Sequence, residues 1–162
     1  MSHEIVARPL TADDFTPFGG VLEGSGAADK IINDGRCGLY HERARLDFTD
    51  GRPGISLFKS EPVQLPYRLT LMERHPAGSQ AFVPMSRDPF LVIVASDRAG
   101  KPGDVQAFVT QAGQGINFHR AVWHGVLTPL GGPGLFAVID RIGAGDNLEE
   151  YRFDSGYRIV AA

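Results

Sequence analysis

Two short stretches of the 162-residue chain concentrate the side chains that move protons or hold metal ions. The first is Glu73-Arg74-His75-Pro76-Ala77-Gly78-Ser79-Gln80. The second is Gly113-Gln114-Gly115-Ile116-Asn117-Phe118-His119-Arg120-Ala121-Val122-Trp123-His124. Ahead of Glu73 the chain alternates, with Leu65, Tyr67, Leu69 and Leu71 on one side and Arg68, Thr70 and Met72 on the other. A strand repeats every two residues, so this spacing predicts that Glu73 and His75 share the apolar, inward face. Burying a carboxylate and an imidazole is costly unless they are paired or used. Gathered in one pocket, such groups suit general acid–base work or a divalent transition metal. A barrel that brought both stretches to one mouth would collect Glu73, His75, Gln80, His119 and His124.

The elements that must position these groups read as strands. Apolar or alternating runs occur at 55–58, 67–73, 80–83, 90–95, 105–110, 126–128, 135–141 and 157–160. Glycine- and proline-rich turns separate them, at 53–54, 75–78, 97–103, 113–115 and 131–134. Many short strands joined this way predict an antiparallel sandwich or barrel. The run 90–95 is apolar throughout and should be a central strand buried on both faces. Thr11-Ala12-Asp13-Asp14 predicts the capped start of a short helix, ended by Pro17 and a Phe18-Gly19-Gly20 turn. No linker or repeat interrupts the pattern, and residues 1–162 read as one domain.

Composition narrows the function. The chain is 43% apolar, enough for a substantial core, and its net charge of -3 comes without a basic block. That argues against nucleic acid or an anionic membrane surface as partner. No apolar run is long enough to span a bilayer. With one cysteine, Cys37, no internal disulfide can form, and no leader pattern is visible, so the cytoplasm is the expected compartment.

The two stretches resemble the paired motifs of cupin barrels. In that pattern the first motif gives two ligands two residues apart and a carboxylate several residues later; the second gives a histidine after a glycine-rich turn. Glu73 and His75 fall at the paired positions, Gln80 at the carboxylate position and His124 at the last. Glu73 stands where a histidine is expected, and Gln80 is a neutral, weaker ligand. A closer resemblance, to ureidoglycolate lyases, covers nearly the whole chain. It rests on LMERHPAGSQAFVPM at 71–85, GQGINFHRAVWH at 113–124 and IDRIGAGDN at 139–147. Pro9-Leu10, Phe15, Phe18-Gly19 and ISLFKSEPVQLP at 55–66 agree with it as well. The resemblance implies a mainly β, cupin-like antiparallel barrel or sandwich with a few short helices, assembled as a homodimer. It implies cleavage of (S)-ureidoglycolate to glyoxylate and urea in allantoin breakdown, and an association with nickel. The metal ligands implied are His75, Gln80 and His124.

The residues suit that chemistry. An elimination needs a base for the substrate hydroxyl and an acid for the departing urea nitrogen, and it consumes no water. Glu73 or His75 is the candidate base, and His124 or His119 the candidate acid. Lys59, at the end of an apolar run, and Arg141, after Ile139-Asp140, are the candidate contacts to the substrate carboxylate, with Gln80 beside them. Lys59 at a solvated strand end and Arg141 in a structural ion pair are the plainer alternatives. Trp123 reads as core. Gly143-Ala144-Gly145-Asp146-Asn147 is a tight turn, since it lacks the third glycine and the βαβ setting of a dinucleotide loop. Two other functions fit the same residues: an amidohydrolase releasing ammonia, and a cupin-like protein that binds a small carboxylate without turnover.

Overall fold

Alternation of apolar and polar residues builds two β-sheets that face each other across a common interior. The computed structural model describes residues 3–162. Its first strands are β1 His3–Val6, β2 Arg8–Pro9, β3 Gly19–Leu22, β4 Lys30–Ile32, β5 Cys37–Leu39, β6 Arg52–Lys59, β7 Tyr67–Arg74 and β8 Gln80–Pro84. Then come β9 Phe90–Arg98, β10 Lys101–Val109, β11 Gly115–Phe118, β12 Trp123–His124, β13 Thr128–Pro129, β14 Leu135–Ile142 and β15 Glu149–Val160. The larger sheet runs β1-β15-β7-β12-β9-β10-β2, with β13 also paired to β9. The smaller runs β3-β11-β8-β14-β6, and β4 with β5 forms a separate hairpin. Pairing is antiparallel except where β1 meets β15 and β2 meets β10. This is the mainly β, barrel-like class that the sequence predicts.

Strand β9 shows why the fold closes. Phe90 to Ala95 are all at most 2% exposed. Phe90, Val92 and Val94 enter the interior between the sheets, where they join Phe82, Phe108, Ile116, Phe118, Phe136 and Val138. Leu91, Ile93 and Ala95 join a second cluster on the other side of the larger sheet, with Leu69, Met72, Trp123 and Ile159. Each such buried side chain contributes roughly 1.5–3 kcal/mol. A strand covered on both faces therefore anchors whatever pairs with it, and β12 is one of its neighbours.

Three local expectations need correction. Among the described residues there is one helix, α1 Ala12–Phe15, where the sequence suggests a few. Its Thr11 cap accepts from the Asp14 amide at 3.2 Å, and Phe15 is fully buried at its end. Gly19 and Gly20 open β3 rather than forming a turn. A Cβ at Gly19 would lie 2.0 Å from the Asn117 carbonyl oxygen, so the close approach of β11 demands glycine there. Residues 126–128 do not form one strand, because β12 and β13 lie to either side of Val126.

Candidate active site

Strand β7 carries the first site residue, but not for the reason its alternation suggests. Leu69 and Met72, of opposite parity, are both fully buried in the outer cluster. The alternation therefore slips between them, opposite the register shift in β15 between Arg152 and Tyr157. Glu73 thus points away from the side that buries Leu69. It pairs in register with His124, and His124 pairs with Val94, whose side chain lies in the interior. Inward placement of Glu73 was expected; the shared face with Leu69 was not what produced it.

The imidazoles of His75 and His124 lie 5.2 Å apart, centroid to centroid. His75 follows the end of β7, and its Nδ1 is 2.7 Å from the Asn147 carbonyl oxygen. The Nδ1 of His124 is 2.9 Å from the Gly125 carbonyl oxygen. A carbonyl only accepts, so in each ring Nδ1 carries the proton and Nε2 keeps a free lone pair. Both Nε2 atoms are buried and unpartnered among the described residues. Phe118 from β11 stacks on His124 with centroids 4.2 Å apart and planes 6° from parallel, fixing that ring's plane.

Electrostatics separate the carboxyl from the buried imidazole. Burial pushes the Glu73 carboxyl above its ordinary value; a charge on His75 opposes this, and Glu150 across the ladder adds to it. Burial pushes His124 down to about 3, helped by His75 and opposed by the bond to Gly125. His124 is therefore a neutral ring at ordinary pH, while Glu73 holds its proton more readily than an exposed carboxylate does.

The other residues singled out from the sequence are not all brought together. Gln80 pairs in register with Phe118 and is 5% exposed, facing the interior. Its Nε2 donates to Asp140 at 3.3 Å, leaving a buried Oε1 without a partner. Lys59 stands at the rim of an open cleft of about 380 Å³ that also takes in Phe58, Ser60, Glu73, Phe82 and Leu127. His119 goes elsewhere: it is exposed, with Nε2 3.3 Å from the Thr16 carbonyl oxygen, and lines a different cavity with Asn117 and Arg45. Ile116 and Phe118 fill the interior from β11, which turns Asn117 and His119 outward. Arg141 is also outside the cleft. Its side chain, 4% exposed, forms an ion pair with Asp50 and donates to the Ala144 carbonyl oxygen at 2.9 Å. Asp140 is the member of that dipeptide that reaches Gln80. Sequence reasoning missed Phe118, Asn147 and the Gly125 carbonyl. Only Phe118 left a signal, the apolar alternation of Ile116 and Phe118 against Asn117 and His119.

A divalent metal fits the cluster. Glu73, His75 and His124 each present one ligand atom, all within 4.8 Å of one another. Two of these residues carry imidazole nitrogens that lack any other partner, and the Gln80 carbonyl oxygen is likewise free.

Two facing sheets around a part-buried carboxylate–imidazole cluster, with Glu73 reaching a cleft that Lys59 also lines, define a barrel-like protein with the groups that acid–base or metal-assisted chemistry needs. The chain belongs to the ureidoglycolate lyase family, whose model matches residues 2–160. A Rhodobacter capsulatus protein named ureidoglycolate lyase is 53% identical over 148 residues, covering 91% of this chain and 92% of that one. A ureidoglycolate lyase of Mesorhizobium japonicum is 49% identical over 157 residues, covering 96% of each chain. A crystal structure of a dTDP sugar isomerase from Desulfovibrio desulfuricans G20 overlaps at a TM-score of 0.37 and 20% identity, over 67% of this chain and 66% of that one. An overlap that loose carries no argument.

Proposed function

We propose that Glu73 and His75 carry an acid–base elimination that splits ureidoglycolate into glyoxylate and urea. The observation behind the residue roles is the pair of buried, unpartnered Nε2 atoms beside a carboxyl of raised proton affinity. The His75 Nε2 takes the proton of the substrate hydroxyl. The oxygen's electron pair forms the carbonyl of glyoxylate as the carbon–nitrogen bond breaks. Protonated Glu73 gives its proton to the departing urea nitrogen, so no water is consumed. The step leaves an imidazolium beside a carboxylate, an ion pair whose attraction favours the charges as they develop. Lys59 at the rim binds the substrate carboxylate, and the Nε2 of neutral His124 accepts from a urea N–H of the substrate. His119 and Arg141 take no part.

The same donor set can hold a divalent cation, nickel among them, through His75, His124 and Glu73, with the Gln80 carbonyl oxygen alongside. When bound, such an ion supplies Lewis acidity toward the substrate's oxygens. The test is turnover of fresh ureidoglycolate by chelator-treated protein, with urea and ammonia measured separately before and after nickel, against a control without protein. Urea without ammonia is expected, and the nickel response decides whether the cluster works as ligands. Ammonia would move the reaction to an amidohydrolase, and neither product would leave a binding protein.

We place the enzyme in the cytoplasm, in keeping with the free thiol of Cys37, and as a homodimer. The outer side of the smaller sheet supports a dimer, because its edge strand β6 exposes Ile55 at 76% and Leu57 at 65%. Light scattering should return twice the 17.5 kDa of one chain.

A further inference from the structure

We propose that Asn147 is the positioning residue that sets the working tautomer of His75, and that Arg141 with Asp50 holds the turn that carries it. Asn147 grips the His75 segment at two points. Its backbone oxygen accepts from the imidazole Nδ1 at 2.7 Å, and its side-chain oxygen accepts from the Ala77 amide at 2.6 Å. The second bond ties residue 147 to the chain two residues beyond His75, so the carbonyl cannot drift from the ring. While that carbonyl stays in place, the proton stays on Nδ1 and the lone pair stays on Nε2. With the tautomer reversed, Nε2 can neither take a hydroxyl proton nor bind a metal.

The turn is in turn held from below. Arg141 donates to the Ala144 carbonyl oxygen while its fork is bound to Asp50. Two glycines make room for it. A Cβ at Gly143 would lie 2.7 Å from the guanidinium, and one at Gly78 would lie 2.8 Å from the Arg141 Cβ. The chain therefore runs Asp50, Arg141, the 143–147 turn, Asn147, His75. This gives the glycine-rich turn and the buried arginine a common purpose that substrate contact does not.

The inference rests on the reading that His75 works in the site, and the test separates the two. Long-range proton–nitrogen NMR of chelator-treated, labelled protein reads the tautomer directly, with the His75 signals assigned by their loss in His75→Gln. The wild-type ring should be wholly the Nδ1–H form. Asn147→Ala keeps the backbone oxygen but loses the tie to Ala77. It should give mixed tautomers and a kcat about tenfold lower, with KM for ureidoglycolate nearly unchanged. Asn147→Asp keeps an acceptor and should restore both; Arg141→Lys, lacking the fork, should resemble the alanine variant. An unchanged tautomer in Asn147→Ala overturns the inference, as does an Asp variant as impaired as the Ala. A changed tautomer with full turnover would instead remove His75 from the chemistry while leaving its positioning by Asn147 intact. If the alanine variant does not fold, Arg141→Lys carries the same test.

Discussion

Strands β7 and β12 each place two adjacent residues on opposite sides, and the two sides are treated differently. On the outer side, Arg74 lies 4.5 Å over the Trp123 ring and forms ion pairs with Asp97 and Glu149. The Trp123 indole donates to the same Asp97 at 2.9 Å, the main cause holding that carboxyl below its usual range. One residue away along each strand, Glu73 and His124 face inward. Glu73 enters no ion pair among the described residues, and the His124 Nε2 has no partner. On the outer side these polar groups find partners, whereas on the inner side the imidazole nitrogen is buried without one, which costs stability. The two sides are thus told apart by unmet bonding capacity rather than by residue type.

The widest separation of the two sides should come from Glu73→Gln. It removes the proposed acid while relieving a carboxyl that burial disfavours. Turnover should fall by about 10²–10⁴-fold with a thermal midpoint no lower than wild type. Near-normal turnover would dissolve the distinction.

His124 gives a pH signature in a window of its own. Its proton affinity falls from 6.5 to about 3 on folding. Between those values the unfolded chain binds a proton that the folded chain refuses, so stability rises with pH and is lost on acidification. The thermal midpoint of His124→Asn should therefore fall less steeply than wild type as pH drops through this window. Equal slopes would mean that the buried ring is not what limits acid stability.

Lys59 tests the cleft between the two. Lys59→Met should raise KM for ureidoglycolate by about tenfold, the worth of one charged hydrogen bond, and leave kcat nearly alone. An unchanged KM would return Lys59 to a solvated strand end.

The smallest effect belongs to the outer side. Arg74→Met should lower the thermal midpoint by about 2–4 °C and leave both kinetic constants near wild type. A collapse of kcat in that variant would show that the outer network also shapes the inner one.

Much of this was legible in the sequence, and the gaps have physical causes. Apolar, turn-bounded runs announced β8, β9 and β14, and the unbroken apolar run of β9 announced burial on both faces. The strands β1, β2, β4 and β5 were unread because each is short and holds no buried residue to pattern it. The pairing of Glu73, His75 and His124 followed from motif spacing, yet the slip between Leu69 and Met72 could not, since a register shift in a partner strand leaves no mark on β7 itself. Asn147 was hidden for another reason. Its key contact is a backbone carbonyl, which every residue has, placed by a turn 72 residues away from His75. The outward placement of His119 was legible too, because the parity of Ile116 and Phe118 sends it away from the interior.

The order in which the chain is made has a consequence for β7. Its two neighbours in the sheet are β12 and β15, and β15 also pairs with β1 near the chain's start. Until Glu149–Val160 has left the ribosome, β7 has one edge open and β1 has no partner in that sheet. Asn147 emerges just ahead of that strand, so a nascent chain already containing Glu73, His75 and His124 still lacks the contact that orders His75. The contact to His75 is therefore made late, and a chain interrupted before Asn147 should carry an exposed strand edge and a His75 ring without its carbonyl partner.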